Sequence, residues 1–340
     1  MQSVILAEVV RGDRLESVHR GHIVIVEGEG KTVFSAGDPE HVTFIRSSAK
    51  PFQAMPLITS GAADRFGFSD AEIAMACASH SGEAVHVEHA AAMLAKAGFT
   101  EADLRCGPHL PFNEAEAERM IREGVRPTQL HNNCSGKHAA MLAFARHIDA
   151  DPANYDSPSH PIQIEILRTM ARFAEIKAES IPIAIDGCAA PNFALPLSAM
   201  ARSFANLINP PDSFDDATRA ACRRIVNAFI NYPHLIGGTE RLDTMLMQAA
   251  PGKLISKVGA EGVWLCGVLP NEKHPAGLAI AMKVEDGDDR RARPVAAVAI
   301  LRSLGILADD QLSELSPMKI LNRRGETVGR VESPHILRNN

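Results

Sequence analysis

The chain has 340 residues, of which 46% are hydrophobic and 22% charged, and its formal net charge is −6. This composition is ordinary for a globular protein with a sizeable core, and the interspersed charges argue against nucleic acid or an anionic membrane as the main partner. No apolar stretch approaches the ~20 residues that cross a bilayer, and the N-terminus lacks the basic segment of a signal peptide. We therefore expect a cytoplasmic protein.

Strand patterns fill the first part of the chain. Runs of β-branched and aromatic residues are separated by glycine-containing turns, and the short connections favour antiparallel hairpins. The predicted strands lie at residues 4–10, 22–26, 31–34 and 41–45. The turns between them contain Gly21, Gly28-Glu29-Gly30 and Gly37-Asp38-Pro39.

Helical patterns follow in the middle of the chain. Apolar residues recur at helical spacing, and segments begin at capping residues such as Ser69 or end at glycines such as Gly98 and Gly124. The predicted helices start at residue 69 and continue at 83–97, 113–123, 135–148, 161–176, 197–208, 215–230 and 242–249.

The last part of the chain returns to strands, at residues 253–258, 262–268 and 277–284, before a helix at 293–304 and a short tail. Strands on both sides of a helical middle predict an α+β fold, with an antiparallel sheet built from both chain ends. We expect one unit whose sheet comes from about residues 1–46 and 253–340 and whose helical lobe spans about 47–252. Site residues would then lie in the cleft between sheet and lobe.

Ser47 and Lys50 stand at the start of an apolar helical run. Residues three apart are neighbours on a helix, so a neutral Lys50 amine can take the proton of Ser47, which is a poor nucleophile on its own. Pro51 is compatible with this only if the helix begins here, because only the first turn can lack an N–H donor. The spacing predicts a nucleophile and its base, although Ser-x-x-Lys also occurs by chance.

Two further segments complete a pattern with a known mechanism. Ser79 follows a helix in a turn of small polar residues, where a capping role is the competing interpretation, and Lys257 stands on a predicted strand two residues before Gly259. The order resembles that of serine β-lactamases and penicillin-binding proteins, which combine Ser-x-x-Lys, a serine on a loop and Lys-Thr-Gly on a strand. Val258 replaces the hydroxyl residue of that last motif, and the Ser-Asp-Asn triplet is missing.

The segment His131-Asn132-Asn133-Cys134-Ser135-Gly136-Lys137-His138 carries a cysteine at the start of a predicted helix, and Cys188 follows a later apolar run. A helix N-terminus lowers the pKa of a thiol. Thiolates also suit zinc, and the spacing of Cys134 from His131 and His138 allows a ligand pair. Zinc binding, a reactive cysteine and a buried structural thiol are therefore all open interpretations of this segment.

Taken together, six segments resemble the rhizobial-type L-asparaginase II family over almost the whole chain. They lie at residues 45–53, 78–82, 131–138, 186–188, 237–244 and 257–262, and the segment around Cys134 is the most specific. The family fold is similar to that of serine β-lactamases and glutaminases, in agreement with the predicted order of elements.

The resemblance implies roles for individual residues. Ser47 with Lys50, and Ser79 with Lys257, match the two serine–lysine pairs of the family. The residues that hold a zinc ion in the family are matched here by Cys134, Lys137 and Cys188. The resemblance also implies that His131 and His138 lie beside the metal, that Asp186 is a polar neighbour of it, and that substrate-binding candidates are Arg46, Asn133, Asp186 and Arg241.

The implied reaction is hydrolysis of the side-chain amide of L-asparagine to aspartate and ammonia through a serine acyl-enzyme. A homodimer is implied as well. The alternatives are another serine–lysine hydrolase, acting on glutamine, a β-lactam or a peptide, and a ligand-binding module of the same fold without turnover. A lysine base must be neutral, so activity is expected to rise with pH through neutrality.

Overall fold

A computed structural model of the chain describes residues 2–28 and 30–334. The predicted turn at Glu29 and the end of the predicted tail lie outside the described residues. The strands are β1 (Val4–Arg11), β2 (Arg14–Glu27), β3 (Lys31–Ala36), β4 (Val42–Phe44), β5 (Ile183–Ile185), β6 (Pro191–Pro196), β7 (Leu254–Val258), β8 (Val263–Val268), β9 (Leu278–Val284), β10 (Met318–Leu321) and β11 (Thr327–Glu332).

The α-helices are α1 (Lys50–Thr59), α2 (Ala62–Arg65), α3 (Asp70–Cys77), α4 (Ala84–Lys96), α5 (Glu114–Glu123), α6 (Ser135–His147), α7 (Pro161–Ala174), α8 (Leu197–Ile208), α9 (Asp216–Asn231), α10 (Pro233–Ile236), α11 (Leu242–Ala249) and α12 (Ala292–Ser303). Short 3-10 helices include Arg46–Ala49 and Gln129–His131. Within the described residues, no helix is both long enough and apolar enough to cross a bilayer.

The chain forms two compact units. The first, unit 1, contains residues 1–48, 195–209 and 245–340, and the second, unit 2, contains residues 49–194 and 210–244. Helix α8 was expected in the helical lobe, but it belongs to unit 1, because it packs on strands β2, β8 and β9. The division into a sheet part at 1–46 and 253–340 and a lobe at 47–252 stays a prediction.

Unit 1 is built on an eight-stranded antiparallel sheet. Seven strands follow the order β10-β11-β1-β2-β9-β8-β7, and β3 pairs with β2 outside that path. The N-terminal strand β2 pairs with the C-terminal strand β9 through partners such as Ile23 with Met282. Strands β8 and β9 are buried along their whole length, which explains their continuous apolar sequences. The predicted α+β class with a sheet from both chain ends is confirmed.

The two last strands, β10 and β11, occupy the region that the sequence pattern assigned to a short tail. Strand β11 pairs with β1, and β10 pairs with β11 at the edge of the sheet. Their residues are mostly half-buried or exposed, and of the two only β10 is an edge strand, because β11 has a partner on each side. Such short strands of mixed polarity give a weak periodic signal, and their pairing with β1 is a long-range contact.

Unit 2 consists mainly of helices whose ends agree with the predicted caps. The Ser69 side chain accepts a hydrogen bond from Glu72 N–H in a capping box, and Asn113 caps α5 in the same way through Glu116 N–H. Helix α1 carries a proline in its first turn, where no N–H donor is needed, and eight of its ten residues are buried. Strands β5 and β6 form a small antiparallel hairpin whose β6 member, with a proline at each end, was not predicted.

Candidate active site

Unit 1 contributes Ser47 and Lys257. Ser47 lies partly exposed in the 3-10 helix Arg46–Ala49, and the next side chain, Ser48, is fully buried. The Ser48 hydroxyl donates to the backbone carbonyl of Lys257 at 2.8 Å. This bond fastens the segment that carries Ser47 to strand β7, although the two are more than two hundred positions apart in the chain.

Gly259 shows why this approach is so close. A Cβ atom at this position would lie 2.7 Å from the backbone oxygen of Ile45, a distance at which the chains could not stay in place. A glycine two residues after Lys257 is therefore required for the close packing of the Ser47 segment on this part of the chain. The Lys257 side chain is completely buried, and its amine donates to the Val258 carbonyl at 3.0 Å.

Arg46, a predicted substrate-binding residue, has a left-handed backbone conformation with φ +53°. This conformation costs free energy for a residue other than glycine, and such strain is concentrated at functional segments. Six other residues besides glycines share this conformation among the described residues, so it does not by itself distinguish Arg46.

Unit 2 contributes Lys50, whose side chain is fully buried at the first turn of α1. Its amine lies 2.5 Å from the Ala78 carbonyl, 3.1 Å from the Asn133 carbonyl and 2.9 Å from the Ser79 hydroxyl. Carbonyl oxygens only accept hydrogen bonds, whereas a hydroxyl can also donate. The charged amine donates one hydrogen to each of the three oxygens, whereas a neutral amine with both hydrogens on the carbonyls turns its lone pair to the Ser79 hydroxyl.

Burial is the main effect that favours the neutral form of this amine. Burial lowers the pKa of Lys50, because a charged amine loses its hydration, and the Lys137 ammonium lowers it further against the opposing effect of Cys134 and Cys188. Lys50 and Ser79 together have the geometry of a base with the hydroxyl that it can deprotonate.

Ser79 is held from its backbone side. It follows α3 directly, and its N–H donates to the carbonyl of Ile236 at 2.9 Å, so the alternative role as a helix N-cap does not apply. The side chain is only 3% exposed. The hydroxyl is therefore fixed within reach of the Lys50 amine.

The segment at residues 131–138 reaches this pair through backbone geometry. Gly136 lies so near α3 that a Cβ atom there would be 2.3 Å from the Met75 carbonyl. This contact brings the start of α6 against the end of α3, and hence the Asn133 carbonyl to Lys50. The glycine in the predicted motif is thus required by packing.

Two thiols and an amine lie at the start of α6. Cys134, Lys137 and Cys188 are each at least 94% buried, and the Lys137 amine donates to the Cys188 sulfur at 3.0 Å. The hydrogen bond from Cys134 and the Lys137 cation lower the pKa of Cys188, whereas the same bond and burial raise the pKa of Cys134. Cys188 is therefore the thiolate and Cys134 the neutral thiol of the pair.

The predicted zinc ligands thus occupy one buried site. Two soft sulfur donors with one nitrogen donor suit zinc, and three protein ligands are typical of a zinc site with an open position. Among residues 2–28 and 30–334, no group of three or more His, Cys, Asp or Glu side chains could hold a metal ion, so the amine of Lys137 would have to be the third ligand. The two sulfurs fit zinc, and Lys137 fits only in its deprotonated form, which burial favours and the two thiols oppose by raising its pKa.

The two histidines of the motif have other partners. His131 accepts the N–H of Thr128 in its own 3-10 helix, and His138 lies 2.7 Å from the Tyr155 hydroxyl. The same hydroxyl accepts the N–H of Arg105 at 2.9 Å. His138, the residue after Lys137, is completely buried.

His80 and Ser135 form a pair that resembles a nucleophile and its base. The two side chains are 2.9 Å apart and fully buried. However, His80 Nδ1 accepts the N–H of Gly82, so Nε2 carries the hydrogen and donates it to Ser135, which in turn donates to the Leu130 carbonyl. This histidine cannot take a proton from Ser135, and the pair is structural.

The remaining substrate-binding candidates have defined positions in unit 2. The Asp186 carboxylate accepts the N–H of Gly187 in the turn before Cys188. The Arg241 guanidinium lies over the Phe112 ring, 5.3 Å from its centroid, and Phe112 stacks on His109 at 4.8 Å. Asn133 presents its carbonyl to Lys50, and its side chain lies 3.2 Å from His109.

Within unit 2, the structure brings together Lys50, Ser79 and Asn133, and likewise Lys137 and Cys188. Within unit 1, it places the Ser47 segment against the strand of Lys257. Sequence reasoning missed Asn132 and His109. The double asparagine before Cys134 was a signal for a backbone-binding turn at Asn132, whereas nothing in the sequence pointed to His109.

Comparison with known proteins gives a family match. A family model described as L-asparaginase II matches residues 7–333. A search of curated proteins found no match.

Several solved structures are similar in fold. They include Mglu in its glutamate form, with 14% identity, a TM-score of 0.47 and coverage of 86% of this chain and 62% of that chain. A probable glutaminase from Bacillus subtilis complexed with 6-diazo-5-oxo-L-norleucine has 12% identity, a TM-score of 0.40 and coverage of 84% and 83%. A β-lactamase from Mycobacterium bovis has 12% identity, a TM-score of 0.40 and coverage of 83% and 94%. The chain spans about three fifths of the Mglu chain.

Proposed function

The chain belongs to the L-asparaginase II family, and from this premise we propose that it hydrolyses the side-chain amide of L-asparagine to L-aspartate and ammonia. Family membership identifies the protein as an amidohydrolase. The choice of asparagine, the serine–lysine mechanism and zinc are the proposal.

The observation that carries the proposal is the Lys50 amine held between two carbonyls and the Ser79 hydroxyl. A buried amine without a carboxylate bonded to it gains little from being charged, so it can exchange a proton with a hydroxyl. Such an exchange is what amide hydrolysis through a serine ester requires, because the amide nitrogen must leave as ammonia with an added proton.

We propose Ser47 as the nucleophile and Lys50 as its base. Ser47 Oγ forms a bond to the amide carbon as its proton passes to the Lys50 amine, and the carbon–nitrogen bond then breaks. Ammonia leaves with a proton returned from Lys50 through the Ser79 hydroxyl. Water next attacks the ester carbon as one of its protons passes to the Lys50 amine, the bond to Ser47 Oγ breaks, and Ser47 takes that proton from Lys50 while aspartate departs.

Lys257 has a supporting electrostatic role in this proposal. It is a fully buried lysine on the strand to which the Ser47 segment is bonded. A cation near the reacting carbonyl stabilises the oxyanion that forms on attack.

Substrate recognition is proposed for Arg46, Arg241, Asn133 and Asp186. An arginine can hold the α-carboxylate of asparagine with two parallel hydrogen bonds, and a carboxylate such as Asp186 can accept from the α-ammonium group. Arg241 already contacts an aromatic ring through one face of its guanidinium, which leaves its N–H edge as the part that can bind a carboxylate.

Zinc is proposed to bind through Cys134, Cys188 and Lys137 in its deprotonated form. Bound there, the ion would supply Lewis-acid polarisation or orientation of the substrate amide. The surrounding protein buries these donors away from solvent, and a hydrogen bond holds the Lys137 amine at the Cys188 sulfur.

The test compares ammonia release from L-asparagine and L-glutamine by the wild-type protein and by Ser47→Ala. We expect rapid release from asparagine, slower release from glutamine, and loss of activity by about 10³-fold or more in Ser47→Ala. Release of ammonia from glutamine alone would contradict asparaginase activity and identify the protein as a glutaminase. Binding of asparagine without ammonia would instead identify a ligand-binding module.

The acylated serine can be identified separately. A diazo ketone analogue of asparagine should alkylate one hydroxyl, and mass spectrometry of the digested protein should place the label on Ser47. A label on Ser79 would retain the chemistry but exchange the roles of the two serines.

We also propose a cytoplasmic homodimer, as family membership suggests. Sedimentation analysis at micromolar concentration should give about twice the mass of 36.6 kDa. A monomer at all concentrations would contradict this part of the proposal.

A further inference from the structure

Asn133 carries the carbonyl that faces Lys50, yet it belongs to neither a helix nor a strand. It lies between the 3-10 helix Gln129–His131 and α6. Regular hydrogen bonding therefore does not fix the direction of its carbonyl, and other groups must do so. That direction depends on the two peptide units on either side of the Asn133 Cα atom.

The peptide unit after Asn133 is fixed by Asn132. The Asn132 side-chain oxygen accepts the N–H of Cys134 at 2.8 Å, and this N–H belongs to the same planar unit as the Asn133 carbonyl. The other end of the Asn132 amide donates to the carbonyls of Cys106 and Gly107 at 2.9 and 2.8 Å. The residue is only 5% exposed.

The peptide unit before Asn133 is fixed by His109. Its N–H donates to His109 Nε2 at 3.0 Å. The other ring nitrogen, Nδ1, lies 2.6 Å from the Leu110 carbonyl, so Nδ1 carries the hydrogen and Nε2 is an acceptor. The Asn133 side-chain oxygen Oδ1 lies 3.2 Å from the same Nε2, and because Nε2 is an acceptor we assign the amide the opposite orientation, with its NH2 group towards the ring.

The His109 ring is itself held in place. It stacks on Phe112 with a centroid distance of 4.8 Å, and the Arg241 guanidinium covers Phe112. The ring therefore keeps one orientation, and with it the acceptor for the Asn133 N–H. His109 touches neither Lys50 nor Ser79 in any of these contacts and acts on Lys50 through Asn133.

We propose that His109 is a positioning residue for Lys50: it fixes the peptide before Asn133, so that the Asn133 carbonyl holds one hydrogen of the Lys50 amine. This inference rests on the proposed function of Lys50 as the base. With both carbonyls in place, the amine is held 2.9 Å from the Ser79 hydroxyl. Without His109, Asn133 can rotate, its carbonyl no longer fixes that hydrogen, and the amine is no longer directed at Ser79.

The test compares two substitutions that separate the ring from its acceptor. His109→Phe retains a ring that can stack on Phe112 but has no acceptor, whereas His109→Gln can place an amide oxygen near the position of Nε2. We expect kcat for ammonia release to fall by about tenfold or more in His109→Phe, with KM within about threefold of wild type. In His109→Gln, kcat should recover to within about threefold of wild type.

A matched control is His89→Phe. His89 is a half-buried histidine on α4 whose Nδ1 also contacts a backbone carbonyl, that of Val85. Its kcat and KM should remain at wild-type values. Unchanged kcat in His109→Phe, or an equal loss in the phenylalanine and glutamine variants, would overturn the positioning role. A change in KM alone would overturn it too, because His109 would then bind substrate.

A second measurement does not depend on turnover. Hydrogen exchange with residue resolution should show faster exchange of the Asn133 amide in His109→Phe than in wild type and in His109→Gln, at equal thermal stability. Equal exchange rates in all three proteins would overturn the proposal. If the wild-type protein releases no ammonia from any amide, the proposed function fails, while the exchange rates still decide whether His109 fixes Asn133.

Discussion

Two buried lysines, Lys50 in unit 2 and Lys283 in unit 1, have similar surroundings at first sight. Both are almost free of solvent contact, at 0% and 7% exposure, and both donate to two backbone carbonyls. Burial lowers the pKa of both amines. Burial and carbonyl contacts therefore do not distinguish a catalytic lysine from a structural one.

The difference lies in the remaining neighbours. Glu261 and Asp286 act on Lys283 and raise its pKa against the effect of burial, so its charge is compensated. Lys50 instead has the hydroxyl of Ser79 at 2.9 Å, while Cys134 and Cys188 raise its pKa and the Lys137 cation lowers it. A buried lysine can act as a base when its third contact is a group that can give it a proton.

The largest effect is expected from exchanging each lysine for methionine. Lys50→Met should lower kcat by about 10³-fold, and it should also lower the free energy of unfolding by about 1–3 kcal/mol, because the Ala78 and Asn133 carbonyls lose their donor. Lys283→Met should keep kcat but lower the free energy of unfolding by about 1–3 kcal/mol, because carbonyls such as that of Glu261 lose their donor. Ammonia release and urea denaturation measure the two quantities. Equal loss of kcat in both variants would break the comparison.

The next effect concerns the hydroxyl that faces Lys50. Ser79→Ala should lower kcat by about 10²-fold, since proton transfer to the leaving nitrogen loses its path. Ser135→Ala is the matched control, because Ser135 is another buried serine of unit 2 whose partner His80 only donates to it. It should keep kcat within about threefold. Steady-state rates of ammonia release measure both effects. An inactive Ser135→Ala would contradict the prediction, because Ser135 would then take part in the reaction.

The pH dependence follows from the same contrast. A base acts in its neutral form, and the pKa of Lys50 lies below its ordinary value, so activity should rise with pH, by about tenfold per unit at first, and level off below pH 10.5. Lys283→Met should show the same profile, because that amine takes no part. Profiles of kcat/KM between pH 5 and 10 test this. A profile that falls with rising pH would exclude a lysine base.

The smallest expected effect concerns a carboxylate that lies close to Ser79 in sequence. Burial would raise the pKa of Glu83, but hydrogen bonds from Ser81 and from Thr239 N–H, with His234 nearby, lower it to about 2. Glu83→Gln should therefore lower the free energy of unfolding by about 2 kcal/mol at neutral pH, without affecting kcat. The folded-state pKa lies below the unfolded value, so this stabilisation exists above about pH 4.5 and is lost as pH falls towards 2.

Denaturation of wild type and Glu83→Gln at pH 7 and pH 3 measures this effect. The difference between them should be smaller at pH 3. Glu16→Gln on the exposed β1–β2 hairpin is the control and should unfold like wild type at both values. A large loss of kcat in Glu83→Gln would contradict this prediction and show that the carboxylate takes part in the reaction.

Much of the fold could be predicted because its signals are local. Helix α8 was predicted at its observed bounds, and the caps Ser69 and Asn113 mark where α3 and α5 begin. Strands β8 and β9 have long apolar sequences because both faces are covered. Strands β6, β10 and β11 were missed, because prolines or mixed polarity hide their pattern and pairing with distant strands stabilises them.

The sequence by itself determined the elements, the family and the residue types of the candidate site. Only the tertiary structure decided which groups meet: Lys50 with Ser79 and a carbonyl of Asn133, and the segment of Ser47 with the strand of Lys257. The physical reason is that periodicity and capping act over a few residues, whereas proton transfer depends on atoms about 3 Å apart. Backbone carbonyls and histidine tautomers, which set the direction of the Lys50 amine, leave no trace in the identity of a residue.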